Sequence, residues 1–175
     1  IVPYAAGGFA DTRARKLGEK LSKALGVAVV VDNRAGAGGV LGTSLVAKAA
    51  PDGYTLGMGN LAPLAVNVSL MKKLPYDPQK DITPIVLIEK APLILTSSPS
   101  LPFATVNDIV AAARAKPGSL TYGSSGIGGA HHLSAAMFAH QAGIELVHVP
   151  YKGGSAAATD LLSGQISLMF EMGYA

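Results

Sequence analysis

Two glycine-rich turns, each set where a strand should hand over to a helix, constrain this chain more than any other feature. The first lies in Ile1-Val2-Pro3-Tyr4-Ala5-Ala6-Gly7-Gly8-Phe9-Ala10-Asp11, the second in Leu120-Thr121-Tyr122-Gly123-Ser124-Ser125-Gly126-Ile127-Gly128-Gly129-Ala130-His131. Glycine permits a sharp backbone turn and lets a ligand approach main-chain N–H groups. The first turn of the following helix adds unpaired donors and a partial positive charge. Each turn is thus a candidate anion cradle. Two cradles far apart in one chain suggest a ligand held at both ends. Neither is followed by an obvious catalytic set, so the turns point to a binder before an enzyme.

The rest of the chain supplies a scaffold for such turns. Helical periodicity runs over 12–25, with Ala14, Leu17, Leu21 and Leu25 on one face, Asp11 as cap and Gly26 as stop. Further helices are predicted over 40–50, 65–71, 106–116, 132–142 and 155–162. Thr105 or Asn107 caps the third of these, and Pro117-Gly118 ends it. Short apolar runs predict strands at 1–2, 27–31, 55–58, 82–89, 93–97, 120–122, 145–149 and 166–170. Alternating strand and helix is the pattern of α/β folds with mainly parallel sheets. The segment Ser98-Pro99-Ser100-Leu101-Pro102 breaks the pattern and is the predicted hinge. It divides the chain into a first lobe over 1–98 and an incomplete second lobe over 99–175. In such sheets ligands lie beyond the carboxyl ends of the strands. Both glycine turns and the loop 150–154 then face one cleft.

Composition excludes several classes of function. Charged residues are only 14% of 175, and hydrophobic residues 49%, too apolar for disorder. No apolar run reaches the roughly eighteen residues of a membrane span. The net charge of +3 is scattered, aromatics are few, and nucleic-acid binding has no support. A mild positive balance suits an anionic small ligand. With no cysteine, disulfides, thiol nucleophiles and zinc–thiolate sites are excluded. The four histidines show no metal-binding spacing, so neither metal nor cofactor is expected. The chain starts at Ile1 and ends after a strand-like run, so both ends read as cut.

The same segments, taken in order, resemble the periplasmic substrate-binding receptors of tripartite tricarboxylate transporters, also called the Bug family. The resemblance is carried by Val2-Pro3-Tyr4 with Gly7-Gly8 and Asp11; by Val31-Asp32-Asn33-Arg34 with Gly36-Ala37-Gly38-Gly39; by Ala49-Ala50-Pro51-Asp52-Gly53-Tyr54-Thr55-Leu56; by Leu74-Pro75-Tyr76-Asp77; by Tyr122 with Ser124-Ser125-Gly126; and by Val147-His148-Val149-Pro150-Tyr151-Lys152-Gly153. It implies a two-lobed periplasmic binding protein, type II-like, with a mainly parallel sheet in each lobe and truncated at its C-terminus. Such a receptor closes on a small organic carboxylate and delivers it to membrane transporter subunits, its signal peptide having been removed. The resemblance also assigns ligand contacts to the loop 4–11 and the loop 124–129. Ala5-Ala6 stands where prolines are common, Ile127 where a polar residue is frequent, and Glu171 where an aspartate often follows the Met-Phe strand.

The candidate ligand contacts are Tyr4, Ala6, Gly7, Gly8, Asn60, Ser124, Ser125, Gly126, Gly128, Tyr151 and Glu171. No residue is assigned to catalysis or metal. The alternative is a small-molecule α/β enzyme, a hydrolase or transferase using the glycine turns as anion or oxyanion sites, with His131 or His132 as base near Ser125. A ligand-sensing domain of a regulator is a third reading. An isolated chain of this length should also self-associate, through 27–31 and 166–170.

Overall fold

The computed structural model describes residues 1–172 and divides into two compact units, Ile1–Ile85 and Val86–Ala175. The second unit is built on a four-stranded sheet. Its strands are β1 (Leu93–Ser97), β2 (Thr121–Ser124), β3 (Val147–Pro150) and β4 (Leu168–Met172), in the order β1-β4-β2-β3. Strand β2 runs parallel to both β3 and β4, while β1 is antiparallel to β4, so the sheet is mixed. The carboxyl ends of β2, β3 and β4 therefore share one edge, and the second glycine turn leaves from it.

Side-chain alternation covers both faces of this sheet. Leu168 and Phe170 point to one face, where helices α4 (Val106–Ala115) and α5 (Ala130–Ala142) supply Ile109, Ala113, Ala135 and Phe138. Met169 points to the other, against Ala157 and Leu161 of α6 (Gly154–Leu162). Gly123 lies beneath α6: a Cβ there would meet the tip of the Ile166 side chain and lie 3.0 Å from the Ala157 Cβ, so glycine allows the close approach of helix and sheet. Helix α4 starts at a capping box. Thr105 accepts from the Asp108 N–H, and Asp108 accepts from the Thr105 N–H.

The first unit holds α1 (Phe9–Leu25), α2 (Val40–Ala47) and a π-helical turn, Ala62–Val66, running into α3 (Asn67–Leu70). The expected sheet is reduced here to one parallel bridge between Val2 and Asn33, with Met58 N–H donating to the Ile1 carbonyl on the other side. The segments 27–31, 55–58 and 82–89, predicted as strands, form no ladder among the described residues. Segment 27–31 is instead tied to α1, where the Val29 N–H donates to Ser22 Oγ at 2.8 Å and Gly18 permits close approach of Val29 and Val31. The apolar stretch Ile85, Val86, Leu87 and Ile88 is exposed.

Three further expectations change. The predicted break at Ser98–Pro102 falls inside the second unit, because β1 precedes it and pairs along its whole length with β4. The run 166–170, expected to seek partners, is covered: Ile166, Leu168 and Met169 are buried and β4 sits between β1 and β2. Helix α1 begins three residues earlier than its periodicity suggests, with Gly8 at its cap. Asp11 is thereby moved into the first helical turn, where its carboxylate does a different job.

Candidate functional site

In the first unit the glycine turn is organised by Asp11, which is 3% exposed. Its Oδ2 accepts from the Gly7 N–H at 2.9 Å and from Arg15 Nε at 3.0 Å. Its Oδ1 accepts from Asn33 Nδ2 at 3.0 Å, and the same amide donates to the Tyr4 carbonyl at 3.1 Å. Arg15 Nη2 donates to Asn33 Oδ1 and closes the ring of contacts. The Arg15 hydrogen bond foremost, with Gly7 and Asn33 adding to it, holds the Asp11 carboxyl below the usual carboxylate range against the opposing effect of burial. The Gly7 N–H, a sequence candidate for ligand contact, is thus satisfied by the protein's own carboxylate. Gly7 has φ +80 and open space around it, so a side chain there is opposed by backbone strain and not by crowding.

Other first-unit candidates are dispersed. Tyr4 is buried, and burial raises its phenol well above the ordinary tyrosine range. Ala6 is exposed and Gly8 half-buried at the helix start. Asn60 accepts the N–H of the next residue, Leu61, through Oδ1 at 2.7 Å.

The second glycine turn sits between the end of β2 and the start of α5, and histidines hold it. Ser124 is fully buried, and its Oγ contacts His148 Nε2 at 2.6 Å while accepting from the Gly126 N–H at 3.1 Å. The Gly128 N–H donates to His132 Nδ1 at 3.1 Å. The His132 and His148 rings stack with centroids 4.3 Å apart, and His148 stacks in turn on Tyr122 at 4.8 Å. Burial foremost, then the neighbouring His132, pushes His148 down to about 4; burial also lowers His132. Both imidazoles are therefore neutral near neutral pH, as a His132 Nδ1 that accepts a hydrogen bond must be.

Ser125 is only partly buried, and its Oγ lies 2.8 Å from His131 Nδ1. His131 Nε2 lies 3.8 Å from Glu171 Oε1 at the end of β4. The first residue of α6, Gly154, closes over the same place, its absent Cβ being 3.7 Å from His131 Cε1 and 3.9 Å from Glu171 Oε2. Tyr151 donates its N–H to the Ser124 carbonyl at 2.9 Å and its hydroxyl to Asp160 at 2.6 Å, and burial together with that carboxylate pushes the phenol up to about 12.

The structure thus gathers Ser124, Ser125, Gly126, Gly128 and Glu171 at one end of the second sheet. Ser124, Gly126 and Gly128 are committed to shaping the turn, leaving Ser125 as the half-buried hydroxyl. Sequence reasoning missed Asn33 and Arg15, and gave His148 no role. An Asp-x-x-x-Arg spacing on a helix is the one local signal that could have found Arg15. Among the described residues no cluster of histidines and carboxylates has the makings of a metal site.

An α/β unit with a glycine turn opening onto a helix at the carboxyl edge of its parallel strands has the geometry at which small anions are commonly bound. Residues 13–173 match the model of the tripartite tricarboxylate transporter family receptor, and the chain belongs to that family. It is 40% identical to Protein BugT of Bordetella pertussis over 172 residues, which is 98% of this chain and 53% of that protein. Among solved structures it is similar to Rpa4515 of R. palustris with adipate, at 37% identity and a TM-score of 0.94, covering 98% of this chain and 57% of the other. It is also similar to MatC of Rhodopseudomonas palustris with bound malate, at 32% identity and a TM-score of 0.91, covering 98% and 58%. The chain spans about half the length of the relatives it matches. The row Ser125–His131–Glu171 has the residue types of a hydrolytic relay, whereas the family that the chain matches is one of receptors. No described helix is long and apolar enough to cross a membrane.

Proposed function

We propose that this chain is part of a periplasmic solute receptor that binds a small organic carboxylate and hands it to a tripartite tricarboxylate-type transporter. The observation that carries the reading is the second turn. Ser125 and the start of α5 lie at the carboxyl edge of β2 and β4, in a chain whose structural neighbours hold adipate and malate. Ser125 is the proposed hydroxyl contact, with Gly126, Gly128 and Ser124 shaping the loop and Glu171 and Tyr151 bordering it. In the first unit Tyr4, Ala6, Gly7, Gly8 and Asn60 are the proposed counterparts, with Asp11 setting the turn. The two-lobed organisation, and self-association through the exposed valines of 27–31, belong to the same proposal.

The test is calorimetric titration of the protein with adipate and malate. Ser125→Ala is expected to weaken binding by about 5- to 30-fold, the equivalent of about 1–2 kcal/mol for a hydrogen bond to a charged group. Unchanged affinity in the variant would remove Ser125 from the site. Failure of both acids to bind the parent chain would remove the carboxylate reading.

A further inference from the structure

The Ser125–His131–Glu171 row sets a condition on carboxylate binding that follows from counting protons. A neutral imidazole carries one N–H. Placed on Nε2 it faces the Glu171 carboxylate at 3.8 Å, an attractive arrangement; placed on Nδ1 it leaves a lone pair facing that carboxylate. Neutral His131 therefore keeps its proton toward Glu171, and Nδ1 accepts the Ser125 hydroxyl proton over 2.8 Å. Ser125 then shows only lone pairs to its surroundings and repels a carboxylate. When His131 takes a second proton, Nδ1–H donates to Ser125 Oγ instead. The hydroxyl hydrogen is freed to point at a ligand.

We propose that His131 is a positioning residue whose protonation switches Ser125 from a spent donor to a ligand donor, so that carboxylate binding takes up one proton from solvent, balanced by Glu171. The inference rests on the reading that the second turn receives a ligand carboxylate. His131 occupies the first turn of α5. From β4 the charged group facing His131 is Glu171, and from α6 the facing residue is Gly154, which carries no charge. Of the other titratable side chains at this edge, His132 on the same helix and His148 on β3 stack on each other and bond the turn through Gly128 and Ser124, and Lys152, on the loop between β3 and α6, is exposed. Because binding and protonation are linked, each favours the other by the same factor.

The experiment is titration of the full chain with malate and with adipate at pH 7.5, in phosphate and in Tris, whose ionisation enthalpies differ. The expected result is an uptake approaching one proton per ligand, with affinity falling up to about tenfold per unit as the pH is raised from 7 to 8.5. His131→Asn keeps an amide N–H for Ser125 but cannot titrate; it should bind without proton uptake and with a flat pH profile. Glu171→Gln, read in parallel should the first variant fold poorly, should lower the uptake at pH 7.5. Parent binding with no proton exchange overturns the switch and leaves the receptor reading standing. Uptake that persists in His131→Asn, or that Glu171→Gln leaves unchanged, places the proton elsewhere and also overturns it. No binding of either acid removes the receptor reading, and this inference with it.

Discussion

The two glycine turns begin alike and are held by opposite means. In the first, a buried carboxylate gathers the Gly7 N–H, Arg15 and Asn33. In the second, a buried serine and two neutral imidazoles take the corresponding roles, through Ser124, His132 and His148. One turn is fixed by a charge and the other by the absence of one. A glycine-rich turn is therefore not an empty cradle awaiting an anion. Its donors are partly committed inside the protein, and what remains for a ligand depends on which group made the commitment.

The largest break in this comparison comes from Asp11→Ala. The change strips the carboxylate from three donors at once and leaves the Gly7 N–H without its partner. Loss of about 2–3 kcal/mol in chemical denaturation is expected, by the scale of hydrogen bonds to a charged group. An unchanged midpoint would show that the first turn holds its shape without Asp11.

Acid sharpens the contrast by separating the turns in pH. Imidazoles whose folded pKa lies below the ordinary value of about 6.5 bind protons more readily when unfolded. Stability from His148 is thus whole above about pH 6.5 and lost as pH falls toward about 4. Asp11, also lowered, contributes above the usual carboxylate range and is lost only as pH drops through its depressed value. Denaturation followed from pH 7 to 3 should show a first decline that His148→Gln flattens and a second, at lower pH, that Asp11→Asn flattens. One merged decline insensitive to His148→Gln would sink the assignment.

The smallest effect is expected from Arg15→Gln. More than half of the Arg15 side chain is exposed, and Asp11 keeps Gly7 and Asn33 without it. Stability should stay near the parent's, with salt sensitivity reduced. A loss as large as that of Asp11→Ala would mean that the charge pair, and not the turn hydrogen bonds, holds this region.

Much of the second unit was legible because its signals are local. The strand predicted over 93–97 is β1, the Thr105 cap starts α4, and Gly143 and Gly164 follow α5 and α6. The first unit was less legible for a physical reason. An apolar run such as 27–31 states that a segment can be a strand, whereas a ladder also needs hydrogen-bonding neighbours, which no local pattern encodes. The site shows the same divide. Both turns could be read from glycine spacing, but Asp11–Asn33, Ser124–His148 and His131–Glu171 join residues 22, 24 and 40 positions apart, and only the fold brings them together.

Gly123, set close under α6, has a consequence beyond packing. Ala157 of α6 rests above it, and the start of the same helix, Gly154, lies against His131 and Glu171. Position 123 therefore works as a thickness gauge: a side chain there asks Ile166 to turn aside and Ala157 to give by a few tenths of an ångström, and any shift of α6 is felt at its first residue, Gly154, beside His131 and Glu171.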